Sequence, residues 1–215
     1  ERRDHRQAAD EFRDQAELQQ VFRLKLAQHG AGAAVFRRAE VRPEAQARTR
    51  YNFFAGRARE ENYIQIARIF DETADQEYEH ALRFFKFFNG GEMEISWPFP
   101  AGVIEDTRSN LLSSAELELY VHGTMYRLFA EIAREEGMTR AAETLDAISV
   151  AERHHEQIFR ELAENIDTGR IFSRPEETVW KCLGCGYLHS GTEPPAKCPA
   201  CVRPRGYFEM LGKNW

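Results

Sequence analysis

Long apolar runs are missing from this 215-residue sequence, and none approaches the roughly 20 residues that a membrane-spanning helix needs. The amino-terminal stretch has no apolar core of the secretory type either. Positive charge is in deficit: 29 Lys and Arg face 35 Asp and Glu, for a net charge of −6 and a pI near 5.7. A nucleic-acid footprint would be basic, so no nucleic-acid partner is expected. Cysteine occurs at only four positions, all between 182 and 201, which leaves no disulfide framework for the rest of the chain. The first residue is Glu1, not Met, which leaves room for a removed targeting peptide. The expected compartment is the cytoplasm or another reducing one. With 42% hydrophobic and 30% charged residues, the length suits one sizeable helical core plus a small appendage.

Against these absences stand two Glu-x-x-His pairs, Glu77–His80 and Glu152–His155, each inside a helical pattern. Positions i and i+3 share a helix face, so each pair aims a carboxylate and an imidazole at one point. Di-metal four-helix bundles use two such pairs and one further Glu from each of the other two helices. Glu44 and Glu118 occupy the matching upstream positions. Four inward carboxylates without counter-charge would each cost several kcal/mol, about the penalty of a buried unpaired ion. Two divalent cations neutralise them, so the set predicts a dinuclear site bridged by Glu77 and Glu152. Carboxylate and imidazole donors suit iron or manganese.

The sequence around the pairs repeats at a spacing of seventy-five residues. That shift places Tyr51 on Tyr126, Phe54 on Phe129, Arg59 on Arg134, Asp71 on Asp146, Glu77 on Glu152 and His80 on His155. Two copies of one helical hairpin around a pseudo-twofold axis are therefore expected. Glu44 and Glu118 are one residue closer than this spacing, so the second copy holds an extra residue between Glu118 and Tyr126. No Asn-Gly or Gly-Pro turn accommodates it. A residue absorbed within a helix makes a π-turn, predicted near Leu119 to Gly123.

In chain order, residues 1–32 read as an amphipathic helical extension, with Phe12, Leu18, Val21, Phe22 and Leu26 as its apolar stripe. It is either a packing or oligomerisation arm or a docking element. Residues 33–169 carry the bundle, with helices expected over about Pro43–Glu60, about Tyr63–Phe88, from near Thr107–Asn110, and up to about Gly169. The second helix's expected stripe includes Ile66, Phe70, Ala74, Phe84 and Phe85 around Glu77. Between Asn89 and Ser109 the glycines and prolines predict a long crossing segment. After a linker at 170–178, residues 179–215 contain Cys182-x-x-Cys185 and Cys198-x-x-Cys201. That spacing predicts a four-thiolate site for one iron or zinc. The fold class is thus mainly α: a ferritin-like four-helix bundle with a long crossover, followed by a small rubredoxin-like four-cysteine metal domain.

With both sites in view, residues 35–215 resemble the rubrerythrin family. The likeness rests on Glu44-Ala-Gln-Ala-Arg-Thr-Arg-Tyr51, the two Glu-x-x-His pairs, Phe99-Pro-Ala-Gly-Val-Ile104, Phe129-Ala-Glu-Ile-Ala-Arg-Glu-Glu-Gly137 and Trp180-Lys-Cys182-x-x-Cys185-Gly-Tyr187. It implies that Glu44, Glu77, His80, Glu118, Glu152 and His155 hold a di-iron centre, and that Cys182, Cys185, Cys198 and Cys201 hold a single iron. It further implies a peroxidase: electrons from a donor reductase pass through the one-iron site to the di-iron centre, which reduces hydrogen peroxide to water in oxidative-stress defence. A homodimer or higher homo-oligomer is implied as well. Tyr51 and Tyr126 fall where the family keeps tyrosines beside the metals, either as hydrogen-bonding catalytic groups or as core packing. One departure stands out: three residues after Glu118 the family usually has another Glu, and here it is Val121. That brings a ferroxidase or dioxygen-reducing oxidase into consideration. Neighbouring His122 is rotated by about 100° of helix, which weighs against its replacing the missing ligand. A non-enzymatic metal-binding scaffold, with zinc in the cysteine site, is the remaining alternative.

Overall fold

The computed structural model describes residues 41–88, 90 and 102–212. The extension expected at 1–32 and most of the crossing segment lie outside the described residues. Helices α1 (Val41–Glu60), α2 (Ile64–Phe85), α3 (Thr107–Tyr120), α4 (Tyr126–Glu135) and α5 (Thr139–Asp167) make the bundle. A π-helical turn, Val121–Met125, joins α3 to α4 without a break, so the third bundle element is one long helix. The extra residue is thus absorbed within the helix, in a π-turn that overlaps the predicted span and is shifted two residues toward the carboxy terminus.

Each helix buries a stripe at spacings of three and four residues, the signature of a core-facing helix. On α2 the stripe is Ile66, Phe70, Thr73, Glu77 and Phe84; on α5 it is Leu145, Ile148, Glu152, His155, Phe159 and Leu162. The metal-site candidates therefore lie on the apolar stripe itself. Phe85, expected in the core, is 59% exposed, because the stripe has rotated past it at the helix end.

The repeat read from the sequence is physical. Arg59 pairs with Asp71, and seventy-five residues later Arg134 pairs with Asp146. Both hairpins turn through a left-handed residue, Asn62 (φ 63°) and Gly137 (φ 72°). The next residue's amide then closes the turn, Tyr63 N–H to Ala58 O at 2.8 Å and Met138 N–H to Ala133 O at 2.7 Å. Two apolar clusters result, one around Tyr51, Phe70 and Phe159, the other around Phe84, Tyr126 and Phe129.

At its start α3 is capped by Asp106, whose carboxylate accepts from Ser109 N–H at 2.8 Å. The amide of Thr107 also donates to Glu61 in the α1–α2 turn, at 3.0 Å. So α3 begins at the end of the bundle where α2 begins and runs parallel to it. The chain must return the full length of α2, about 33 Å for 22 residues. That return is the long crossover of the ferritin-like topology.

The carboxy-terminal unit is a three-stranded antiparallel sheet in the order β2-β1-β3, with β1 at Thr178–Cys182, β2 at Leu188–Gly191 and β3 at Phe208–Met210. Its small core is Trp180, Phe208 and two cysteines. The Trp180 indole is buried, and its N–H donates to Gly191 O at 3.0 Å. This unit rests on the α1–α2 turn. A Cβ added to Gly206 would collide with the backbone of Asn62, and Arg68 of α2 donates to Leu183 O at 3.4 Å.

Candidate metal centres

Glu77, Glu118, Glu152 and His155 each offer a ligand atom, and these atoms all lie within 4.8 Å of one another. Their side chains are at most 2% exposed. Glu44, also buried, faces the charges of Glu77, Glu152 and Glu118 and completes the carboxylate set. His80 comes in from the rim: its Nδ1 is 2.9 Å from Glu152 and 3.2 Å from Glu77. His155 mirrors it, with Nδ1 2.8 Å from Glu152 and 3.1 Å from Glu77. All six residues named from the sequence therefore converge where the four bundle elements meet, between the two apolar clusters.

This arrangement makes electrostatic sense only around cations. Burial pushes the carboxyls of Glu44 and Glu118 well up, and the charges of Glu77 and Glu152 add to the effect. Burial also opposes the charged form of Glu77, but hydrogen bonds from His155 and His80 outweigh it and hold the group at about 2. The imidazoles feel the converse. Burial disfavours their charge, while Glu152 and Glu77 outweigh it and hold His80 at about 9 and His155 at about 10. Protons here occupy the role of metal ions. Oε1 of Glu44 is buried with no hydrogen-bond partner among the described residues, which is what a ligand atom looks like without its ion. Four carboxylates and two Nδ1 atoms in one dry pocket fit two divalent cations.

Tyr51 donates its hydroxyl to Glu118. The hydroxyl of Tyr126, its counterpart in the repeat, is buried with no partner among the described residues. Sequence reasoning missed Gln76, whose Oε1 lies 2.8 Å from Nε2 of His155. An acceptor there fixes the tautomer that frees Nδ1 for a metal. No local signal marked it, because the partner, His155, lies seventy-nine residues away on α5. His122 does not join the cluster: its Nε2 is 2.7 Å from Glu156, which Arg160 also holds at 2.7 Å. Val121 is 3% exposed and offers no ligand atom.

The second centre is thiolate. Sγ of Cys182 is 3.7 Å from Cys201, and Sγ of Cys185 is 3.6 Å from Cys198. A disulfide needs about 2.05 Å. A tetrahedron with metal–sulfur bonds of about 2.3 Å has edges near 3.8 Å, so the four sulfurs stand at metal-site spacing. Each Cys-x-x-Cys knuckle closes with a left-handed residue, Gly186 (φ 78°) after the first and Val202 (φ 57°) after the second. In both, that residue's amide bonds back to the knuckle's first cysteine, at 2.8 and 2.9 Å. Both centres suit iron. No described helix is long and apolar enough to cross a membrane.

Comparison with known proteins agrees. The family model for rubrerythrin matches residues 39–163, and that for the rubrerythrin rubredoxin-like domain matches residues 180–209. The chain is similar to rubrerythrin of Nitratidesulfovibrio vulgaris, 52% identical over 172 residues covering 80% of this chain and 90% of that protein. It is similar as well to rubrerythrin of Porphyromonas gingivalis, at 44% identity over 80% of this chain and 86% of that one. Among solved structures, fully reduced, all-ferrous nigerythrin is similar with a TM-score of 0.57 and 30% identity, covering 85% of this chain and 88% of that one.

Proposed function

The chain belongs to the rubrerythrin family, and from that premise we propose that it is an oxidoreductase that reduces hydrogen peroxide to water at a di-iron centre. The observation that carries the reading is the presence of two metal sites of different chemistry in one chain. A thiolate tetrahedron passes single electrons, whereas a carboxylate-rich pair of ions delivers two to an oxygen substrate. Hydrogen peroxide takes up two electrons and two protons and leaves as two waters. The electrons come from a donor reductase by way of Cys182, Cys185, Cys198 and Cys201.

Glu44, Glu77, His80, Glu118, Glu152 and His155 would hold the two irons, with manganese as the other fitting metal, and that pair would supply the redox chemistry. The protein's own part is placement. Glu77 and Glu152 sit within reach of both imidazoles and, with them, would hold the ions. Tyr51 holds Glu118 through its hydroxyl, and the same hydroxyl is a proton donor at that edge of the site. Tyr126 presents a second, unengaged hydroxyl. The assembly is a homodimer or higher homo-oligomer in the cytoplasm or another reducing compartment, where the four thiols stay free to bind iron.

A second reading, a dioxygen-reducing oxidase or ferroxidase, is favoured by buried, apolar Val121 beside Glu118. Anaerobic stopped-flow separates the two. Fully reduced protein is mixed with hydrogen peroxide and, separately, with dioxygen, and the colour of the one-iron site is followed. Faster return with peroxide supports the peroxidase; equal or faster return with dioxygen supports the oxidase. A colourless, zinc-filled cysteine site in protein as isolated would support the scaffold reading instead.

A further inference from the structure

A groove of about 560 Å³ runs along the outer face of the first hairpin, between Ala45 and Phe53 of α1 on one side and Tyr78 and Phe85 of α2 on the other. Phe53, Tyr78 and Phe85 line it and are 54%, 45% and 59% exposed. Large apolar side chains gathered on one face mark a surface that something covers. The internal repeat supplies a control. Seventy-five residues on from Tyr78, Ala81, Leu82 and Phe85 stand Arg153, Glu156, Gln157 and Arg160, so the second hairpin turns a polar face to solvent. Whatever covers the groove is therefore particular to the first hairpin. Arg48 also lines it, stacked over the Tyr78 ring at 4.7 Å and without a carboxylate partner among the described residues.

We propose that the occupant is this chain's own amino-terminal segment, residues 1–32, folded back as a helix that lays Leu18, Val21, Phe22 and Leu26 in the groove. The segment feeds the first hairpin alone, and directly: residues 33–40 lead into α1, and Ala45 in the groove is one turn past Val41. The lengths agree. Leu18 to Leu26 is nine residues, about 12 Å of helix, and Ala45 to Phe53 is nine more. Residues 27–40 can span up to roughly 46 Å when extended, so they reverse the chain onto α1 with length to spare. Asp14 and Glu17 flank Leu18 and bring carboxylates to Arg48. Tethering decides between this occupant and a second copy of the chain, because a short linker gives an effective concentration on the order of millimolar. The inference holds whichever oxidant the metals take.

Photocrosslinking of the full, metal-loaded chain tests the docking, with benzoylphenylalanine in place of exposed Phe85. On a denaturing gel the product should keep the mass of one chain, and peptide mapping should place the link within residues 12–26. A product of doubled mass overturns the proposal and makes this face an interface between copies. A link that maps elsewhere in the chain, or no link to residues 1–32, overturns it as well. Phe53→Glu gives a second reading that needs no photochemistry. The position is exposed, so the variant keeps its fold while a charge enters the groove. Trypsin should then cut after Arg23 roughly tenfold faster or more than in the unmodified chain, because cleavage follows the population of the undocked form. Equal rates of cutting in the two proteins would leave the groove without this occupant.

Discussion

Tyr51 on α1 donates its hydroxyl to Glu118 on α3, whereas Tyr126, its partner in the internal repeat, donates to nothing among the described residues. The asymmetry makes the two tyrosines unequal. Replacing Tyr51 by Phe strands a buried carboxylate oxygen, at a cost of roughly 1–3 kcal/mol. Tyr126→Phe only removes a hydroxyl that had no partner, so it should be near neutral. Urea unfolding of the two variants in metal-free protein checks this, and equal destabilisation would refute it.

The two hairpins and the meeting of all six ligand candidates were legible because helical spacing and a repeat of seventy-five residues constrain each other; the Arg59–Asp71 and Arg134–Asp146 pairs were not, since the repeat marks those positions without saying that they touch. The π-turn was legible for the same reason, as one residue too many between Glu118 and Tyr126. Its position was less so, because nothing local in Leu119–Met125 marks where the helix widens. The role of Gln76 was hidden, since a polar residue on a helix reads as solvated until the fold brings His155 of α5 to it. Phe85 was misplaced because a stripe that continues past a helix's last buried turn looks the same in sequence whether or not anything covers it.

The π-turn carries a prediction of its own. Deleting Gly123 leaves Tyr126 seven positions after Glu118, the spacing that an uninterrupted α-helix gives Glu44 and Tyr51 in the first copy, where both are buried. The π-turn then closes to an ordinary α-helical turn and Glu118 stays on the core face. Helix content by circular dichroism should hold, and metal bound per chain at the carboxylate site should stay at two. Loss of metal on this deletion would show that the bulge itself is what places Glu118.

Metal-free protein should respond to alkali in a way that metal-loaded protein does not. His80 and His155 are raised from 6.5 to about 9 and about 10, so the stability they contribute is complete below 6.5 and is lost as pH rises through those values. Glu44 and Glu118, raised by burial, act in the same direction as they ionise. Glu77, held at about 2, loses its contribution only in strong acid. The melting temperature of metal-free protein should therefore fall steadily from about pH 6.5 to about pH 10. Iron replaces those protons and should flatten the curve. Parallel curves with and without metal would mean that the ions bind elsewhere.

His155 needs Gln76 to keep Nδ1 unprotonated toward the metals. Gln76→Leu keeps the bulk and removes the acceptor, and losses of that kind typically cost 10–100-fold in metal affinity, roughly. Cobalt(II) titration against a competing chelator measures it. An unchanged affinity would mean that the backbone alone holds His155 in place.

Val202 supplies the last test, in the four-cysteine unit. Its φ of 57° is left-handed, a conformation that costs a β-branched residue about 1–2 kcal/mol. The fold imposes it because the Val202 amide must reach Cys198 O, as Gly186 reaches Cys182 O in the other knuckle. The side chain is 75% exposed, so little packing offsets the strain. Val202→Gly should make the two knuckles alike and slow thermal bleaching of the iron chromophore, with a net gain of about 1 kcal/mol after the extra freedom glycine has in the unfolded chain. Faster bleaching would mean that the exposed valine protects the adjoining Cys201 from solvent, and that shielding outweighs backbone strain at this turn.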